Sequence, residues 1–116
     1  MTNPAGTRFA TQVVEALRPV FPNAERRAQR GRKDAGDVAG VPLWAIEVKA
    51  TKAISLSEAV DEALVEAKNA GVPWACAIIK RRRKATLDAY VVIPLHVWLA
   101  REAAAEVASG AVEPER

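Results

Sequence analysis

The run VPWACAII at residues 72–79 is almost continuously apolar. A run of this length predicts a β-strand, and the absence of polar alternation predicts that both of its faces are covered. A strand buried on both faces lies inside a layered domain, with other elements packed on each side. Half of the residues in the chain are hydrophobic, which is enough to form such a core.

Helical spacing of apolar residues occurs in three segments, each next to a capping or helix-breaking residue. They are residues 7–18, 56–70 and 94–109. The second segment is preceded by the capping-box sequence SLSE, with Ser55 as the N-cap residue and Glu58 at the third helical position. Gly71 is placed to end the same helix in a left-handed conformation.

Strand-like segments fill most of the intervals between these helices. They are residues 24–31, 37–41, 43–50, 72–79 and 86–93. The turn signal GVP predicts that the second and third segments pair as a hairpin, and the last two can form another. The order α-β-β-β-α-β-β-α predicts an α/β fold with one central mixed sheet flanked by helices. The length predicts one domain over residues 1–116, with frayed ends at about 1–5 and 110–116.

Composition and the N-terminal segment bear on the cellular setting. No apolar run approaches the roughly 20 residues of a membrane-spanning helix, and MTNPAGTRFA lacks the apolar stretch of a signal peptide. We therefore expect an intracellular, cytoplasmic protein with no membrane partner. The single cysteine and single histidine argue against a zinc site. Cys76 lies within the apolar run and is expected to be a buried structural thiol.

Basic residues are clustered in two blocks. The first block contains Arg26, Arg27, Arg30, Arg32 and Lys33, and the second contains Lys80, Arg81, Arg82, Arg83 and Lys84. The net charge is only +3, but the clustering indicates an anionic partner, nucleic acid first. The two blocks would contact the phosphate backbone rather than read bases, and Lys52 is a further candidate for the same contact. The alternative is that each block is a solvated loop.

Charged residues also occur inside a segment predicted to be a buried strand, GDVAGVPLWAIEVKA. Glu47 and Lys49 are two residues apart and therefore share one face of that strand. The apolar residues that alternate with them point to the other face. A hairpin turning at GVP would bring the Asp37 carboxylate beside Glu47.

Two adjacent carboxylates repel each other unless they share a cation. Oxygen ligands favour a hard divalent ion, Mg²⁺ or Mn²⁺. A nearby lysine would neutralise an incoming phosphate or position an attacking water. Asp37, Glu47 and Lys49 together therefore predict a site for phosphodiester cleavage, in which the metal lowers the pKa of bound water. The alternative is an exposed edge strand on which Glu47 and Lys49 provide solubility.

The GD and AIEVK motifs resemble those of the PD-(D/E)xK nuclease superfamily. Within that superfamily, the stretches AERRAQRGRKDAGDVAGVPLWAIEVKA, LSEAVDEALVEAKNAG and IIKRRR are similar to the small archaeal-type Holliday junction resolvases, including phage-encoded ones. The resemblance covers roughly residues 6–95. The GD and EVK motifs occur across the whole superfamily, whereas the basic stretches and the DEA sequence point to the resolvase group.

The resemblance implies a restriction-endonuclease-like core and a metal-dependent endodeoxyribonuclease. Asp37 and Glu47 would be metal ligands, the Val48 carbonyl would be another, and Lys49 would be the catalytic lysine. Glu62 on the second helix is an additional candidate, weighed against a surface salt bridge. The implied cofactor is Mg²⁺, with Mn²⁺ as a substitute. The implied assembly is a homodimer that cuts two strands of a four-way DNA junction symmetrically.

One position departs from the family pattern. The family often carries a glutamate in the first helix, soon after the G-T-x-F start, where this chain has Ala10. Gln12 and Glu15 are the candidates to compensate, although Glu15 is expected to face solvent. The departure leaves two alternatives open: a repair or flap nuclease of the same superfamily, and a catalytically weak DNA-binding protein with the same fold.

Overall fold

The computed structural model describes residues 4–27 and 36–110, with side chains from residue 6 onward in the first helix. The helices are α1 (Pro4–Leu17), α2 (Leu56–Ala70) and α3 (Leu95–Ser109). The strands are β1 (Glu25–Arg26), β2 (Val38–Ala39), β3 (Trp44–Lys49), β4 (Trp74–Ile79) and β5 (Tyr90–Val92). The predicted order of elements is confirmed. The predicted frayed ends lie largely outside the described residues.

The described strands form a three-stranded mixed sheet and a separate two-stranded sheet. In the larger sheet, β4 is central, parallel to β3 and antiparallel to β5. The predicted hairpin of β4 and β5 is therefore confirmed, with the second basic block in its loop. The predicted central mixed sheet is confirmed for β3, β4 and β5, but among the described residues β1 and β2 form a separate two-stranded sheet instead of joining it.

The predicted hairpin between residues 37–41 and 43–50 was also wrong. Its turn bends the chain out of plane: Gly40 has a φ of +81°, and Leu43 has a φ of +74°. A Cβ atom on Gly40 would lie 1.9 Å from the Asn23 carbonyl oxygen, so this backbone packs against the segment before β1. β2 consequently pairs with β1 instead of β3.

Two other strand predictions were too long. The segment predicted over residues 24–31 is a strand only at Glu25–Arg26, and residues 28–35 are outside the described part. In the segment predicted over residues 86–93, Thr86–Asp88 forms a turn of 3₁₀ helix and the strand begins at Tyr90. The 3₁₀ turn uses backbone groups that a strand would pair with its neighbour.

Both faces of β4 are covered, as its apolar sequence predicted. On one face, Phe9, Val13 and Val14 of α1 join Ile46, Cys76 and Ile78 in the largest cluster of buried residues. On the other face, α2 packs against alternate residues of β3 and β4. Burial raises the pKa of the Cys76 thiol to about 12, in agreement with the expected structural cysteine.

Alanine residues form the contact between α2 and the sheet. Ala63 of α2 and Ala45 and Ala75 of the sheet are each 0% exposed. Their short side chains let the helix lie close to the sheet backbone. The ends of α2 are as predicted: the Ser55 side chain accepts a hydrogen bond from the Glu58 N–H group, and Gly71 is left-handed. This close approach fixes which side chains of α2 reach β3.

The third helix packs more loosely. Val97 is the buried residue of α3, whereas Leu95 and Leu99 are more than half exposed. Within the described residues, no helix has the length and apolar character that crossing a bilayer requires.

We predict that Ala63→Leu lowers the free energy of unfolding by about 1–3 kcal/mol, because the larger side chain has no space between α2 and the sheet. Ala70→Leu, at an exposed position of the same helix, should change it by less than about 0.5 kcal/mol. Urea unfolding followed by circular dichroism measures both. Equal destabilisation of the two variants would contradict the close alanine contact.

Candidate active site

The GD motif holds Asp37 against the edge of β3. Gly36 has a φ of +107°, and a Cβ atom there would lie 3.0 Å from the Ile46 carbonyl oxygen. A residue with a side chain at position 36 would therefore push Gly36 and Asp37, here called the GD corner, away from the strand. The Asp37 N–H group donates to the Ile46 carbonyl at 2.8 Å, and the Asp37 Oδ2 atom accepts from the Val48 N–H group at 2.7 Å. Asp37 thus contacts β3 through one backbone hydrogen bond and one side-chain hydrogen bond, rather than through the ladder of a hairpin.

The Val48 carbonyl points toward the same edge of β3. In an extended strand, the N–H and C=O groups of one residue point to the same side. Because the Val48 N–H group donates to Asp37, its carbonyl lies on the Asp37 side of β3 and away from β4. The carboxylate of Asp37 and the carbonyl of Val48 can therefore face a common ligand.

Glu47 and Lys49 share the face of β3 that lies under α2. Glu47 is only 6% exposed, although a glutamate in water is ionised at neutral pH. The Lys49 Nζ atom lies 3.4 Å from Oε1 of Glu47 and 2.8 Å from Oε2 of Glu62. Glu62, the additional candidate on α2, therefore contacts the predicted lysine and holds the Lys49 ammonium group in position.

Glu66 is a site residue that the sequence analysis missed. It follows Glu62 by one helical turn and is 4% exposed. One carboxylate oxygen from each of Glu47, Glu62 and Glu66 lies within 4.8 Å of the other two. A signal was present in the sequence, since Glu66 falls within the stripe of small apolar residues by which α2 packs on the sheet.

The electrostatics of Glu47 reflect this crowding. Burial raises the pKa of the Glu47 carboxyl far above its usual range, and the contact with the Glu66 carboxyl and the charge of Asp37 raise it further. The Lys49 charge opposes the shift without cancelling it. Without a bound cation, the Glu47–Glu66 pair therefore retains a proton at neutral pH.

Lys49 remains a cation in this environment. Partial burial by itself lowers the pKa of Lys49, but the hydrogen bond to Glu62 and the charges of Glu47 and Glu62 outweigh burial and raise the pKa above its usual value. A lysine that stays protonated can stabilise negative charge but cannot act as a general base at neutral pH.

The second basic block follows the carboxyl end of β4, next to the end of β3 that carries Lys49. Because β3 and β4 are parallel, their carboxyl ends are adjacent, and the Lys80 N–H group donates to the Lys49 carbonyl at 2.9 Å. Arg81 packs over the Tyr90 ring, with its guanidinium carbon 4.8 Å from the ring centre. The other three residues are exposed: Arg82, Arg83 and Lys84.

The first basic block is described only at its start. Arg26 is exposed on β1, and the Arg27 N–H group donates to the Asp37 carbonyl at 3.0 Å. Arg27 is thus directly connected to the GD corner. Lys52 is exposed in the bend that follows β3. The remaining predicted contacts, Arg30, Arg32 and Lys33, lie outside the described residues.

The first helix contributes no acid at the position of Ala10, which is 6% exposed and packed within α1. Gln12 contacts the Thr86 hydroxyl through its side-chain oxygen at 3.4 Å, and Glu15 is exposed, as expected. Neither residue belongs to the group of three glutamates. Among the described residues, the acids that interact with Glu47 come from α2 and from Asp37.

Comparisons with known proteins add no relative: a scan against family models, a search of curated proteins and a search of solved structures each found no match.

The buried Glu47 predicts a specific dependence of stability on pH in EDTA. Above about pH 4.5 the unfolded chain loses the Glu47 proton while the folded pair retains one, so stability falls as pH rises, by at most about 1.4 kcal/mol per pH unit. Glu47→Gln removes this loss. Its advantage over the wild type should therefore be larger at about pH 8 than at about pH 5.

Urea midpoints of the two proteins at both pH values measure this difference. Glu15→Gln, at an exposed position of α1, is the control and should follow the wild type. If the urea midpoints of the wild type and of Glu47→Gln change equally between the two pH values, Glu47 ionises in the folded protein as it does in the unfolded chain, and the prediction is wrong.

Proposed function

We propose that this chain is a Mg²⁺-dependent, structure-selective DNA endonuclease that resolves four-way junctions by paired phosphodiester hydrolysis. The observation that carries the proposal is the convergence of Asp37, Glu47 and Lys49 around β3, beside an exposed basic turn. Three separate backbone features produce this arrangement: the GD corner, the alternation of β3 and the parallel pairing of β3 with β4. A solvated edge strand would not bury Glu47.

The donor set fits a hard divalent cation. Apart from the proton that it can share with Glu66, Oε2 of Glu47 is buried with no hydrogen-bond partner among the described residues. Glu47, Asp37 and the Val48 carbonyl offer oxygen ligands of the kind that Mg²⁺ and Mn²⁺ prefer. A bound ion would lower the pKa of a coordinated water and stabilise charge at the phosphorus atom.

The residues of the chain perform the remaining steps. Asp37 and Glu47 orient the attacking oxygen relative to the phosphodiester. Lys49, held by Glu62 at 2.8 Å, presents a permanent positive charge to the phosphoryl oxygens as negative charge accumulates there. Burial of the site under α2 lowers the local dielectric and strengthens that interaction.

The basic residues support a path for the phosphate backbone. Arg82, Arg83 and Lys84 project from a loop that begins next to Lys49, and Lys52 follows the same strand. A strand of DNA lying across the carboxyl ends of β3 and β4 would contact these cations on its way to the acids. Contacts of this type position the backbone without reading bases, as recognition of a branched shape requires.

The proposed assembly is a homodimer with a restriction-endonuclease-like core in each copy. Its fold is supported by the order of elements and by a mixed sheet covered by α1 and α2. Two copies related by a two-fold axis would present two sites to the two strands that are cut in a four-way junction.

One observation favours a second candidate function. Ala10 is buried in α1 and supplies no acid, so the site has fewer ligands than the family pattern implies. A protein with this deficit could bind branched DNA without cutting it. A repair or flap nuclease with the same site is distinguished from a resolvase by its substrates alone.

We predict that the wild type cuts a synthetic four-way junction with paired nicks in Mg²⁺, and leaves a linear duplex of the same sequence intact. EDTA should abolish the nicks. Glu47→Gln should reduce the rate by about 100-fold or more, because it removes a ligand carboxylate. Glu58→Gln, exposed on α2, should cut like the wild type.

Gel analysis of end-labelled junctions measures the rates and maps the nicks. Cutting of duplex, flap and junction at similar rates would replace the resolvase with a general nuclease. Binding of the junction without cutting in Mg²⁺ or Mn²⁺ would contradict the enzymatic proposal and favour the DNA-binding protein.

A further inference from the structure

The second helix directs two acids, one helical turn apart, at the strand that carries Glu47. Glu62 is at the exposed end of this group and is bonded to Lys49 at 2.8 Å. Glu66 is at the buried end, 4% exposed, among alanines that fill the rest of the contact. The two therefore differ in role: Glu62 positions the lysine, and Glu66 faces the interior of the site.

Glu47 supplies an independent indication of a ligand. Its side chain is 6% exposed, and its two oxygens are in different environments. Oε1 lies 3.4 Å from the Lys49 ammonium, whereas Oε2 is buried and, apart from a proton that it can share with Glu66, has no hydrogen-bond donor among the described residues. A buried carboxylate oxygen with no donor near it is costly unless a cation or a proton occupies the space beside it.

The GD corner leaves room for the Glu66 carboxylate. A Cβ atom on Gly36 would lie 3.5 Å from Oε2 of Glu66, so Glu66 extends across β3 to the backbone that precedes Asp37. Glu66 thus lies between Glu47 and the GD corner.

We infer that Glu66 is a carboxylate ligand of a divalent cation held jointly with Glu47, so that α2 supplies the acid that α1 lacks at Ala10. The cation is of the hard, oxygen-binding class, Mg²⁺ or Mn²⁺. This inference rests on the proposed metal site and adds a ligand to it from a different element of the fold. Because Glu66 is buried, it would hold the ion from the interior side, and the exposed side of the site would stay open for substrate.

The test is Mn²⁺ binding to the metal-free chain, followed by the electron paramagnetic resonance signal of the free ion. Glu66→Gln should weaken binding by about tenfold or more. Asp61→Asn, which removes the same charge from an exposed position of α2, should change the affinity by less than about twofold. Affinity of Glu66→Gln within about twofold of the wild type would overturn the inference.

A second variant separates a lost ligand from a perturbed fold. Glu66→Ala places one more small residue in a contact already made of alanines and should weaken Mn²⁺ binding as Glu66→Gln does. Urea unfolding in EDTA should show both variants at least as stable as the wild type, because each removes a carboxylate from a crowded pair. Loss of stability with unchanged Mn²⁺ affinity would assign Glu66 a purely structural role.

The outcome is independent of cleavage. If the wild type binds Mn²⁺ through Glu66 but cuts no DNA, the proposed nuclease function fails and the ligand stands. If the wild type cuts a junction, and Glu66→Gln binds Mn²⁺ and cuts equally well, then Glu66 is not a ligand, although the proposed nuclease function is supported.

Discussion

The contact between α2 and the sheet determines the chemistry of this chain. Ala45, Ala63 and Ala75 bury no large side chain, so the helix lies close to β3. At that separation, a glutamate on α2 and a glutamate on β3 must meet. A contact of leucines would hold the same elements farther apart, and Glu47 and Glu66 would each reach water. The site is therefore a consequence of how small the core residues are.

The same proximity carries an energetic cost. Two carboxyl groups in a buried contact repel each other, and Lys49 offsets only part of that repulsion. A retained proton relieves the remainder in the free protein. A divalent cation would relieve it more completely, because it would attract both carboxylates and Asp37 together. If the proposed cation binds, the free energy of unfolding would therefore rise with its concentration.

Helix caps and apolar runs in the sequence predicted the ends of α2 and the burial of β4, because both depend on neighbouring residues. Ser55 and Gly71 bound α2 as predicted, and the apolar run at 72–79 is covered on both faces. The path of Asp37 could not be predicted from local signals, since its contact with β3 uses its side chain, its N–H group and a backbone with positive φ at Gly36, Gly40 and Leu43. The position of Glu66 within the alanine stripe of α2 indicated burial, but its contact with Glu47 depends on the distance between the helix and the sheet, which the sequence pattern does not give.

We propose that the acids around β3 bind a divalent cation for phosphodiester cleavage. The most direct measurement is anomalous X-ray diffraction from crystals of the wild type soaked in Mn²⁺. We expect a peak in contact with Glu47 and Asp37, on the edge of β3 that carries the Val48 carbonyl. Crystals with Mn²⁺ bound elsewhere, and with Lys49 still bridging Glu47 and Glu62 beside an empty site, would contradict it.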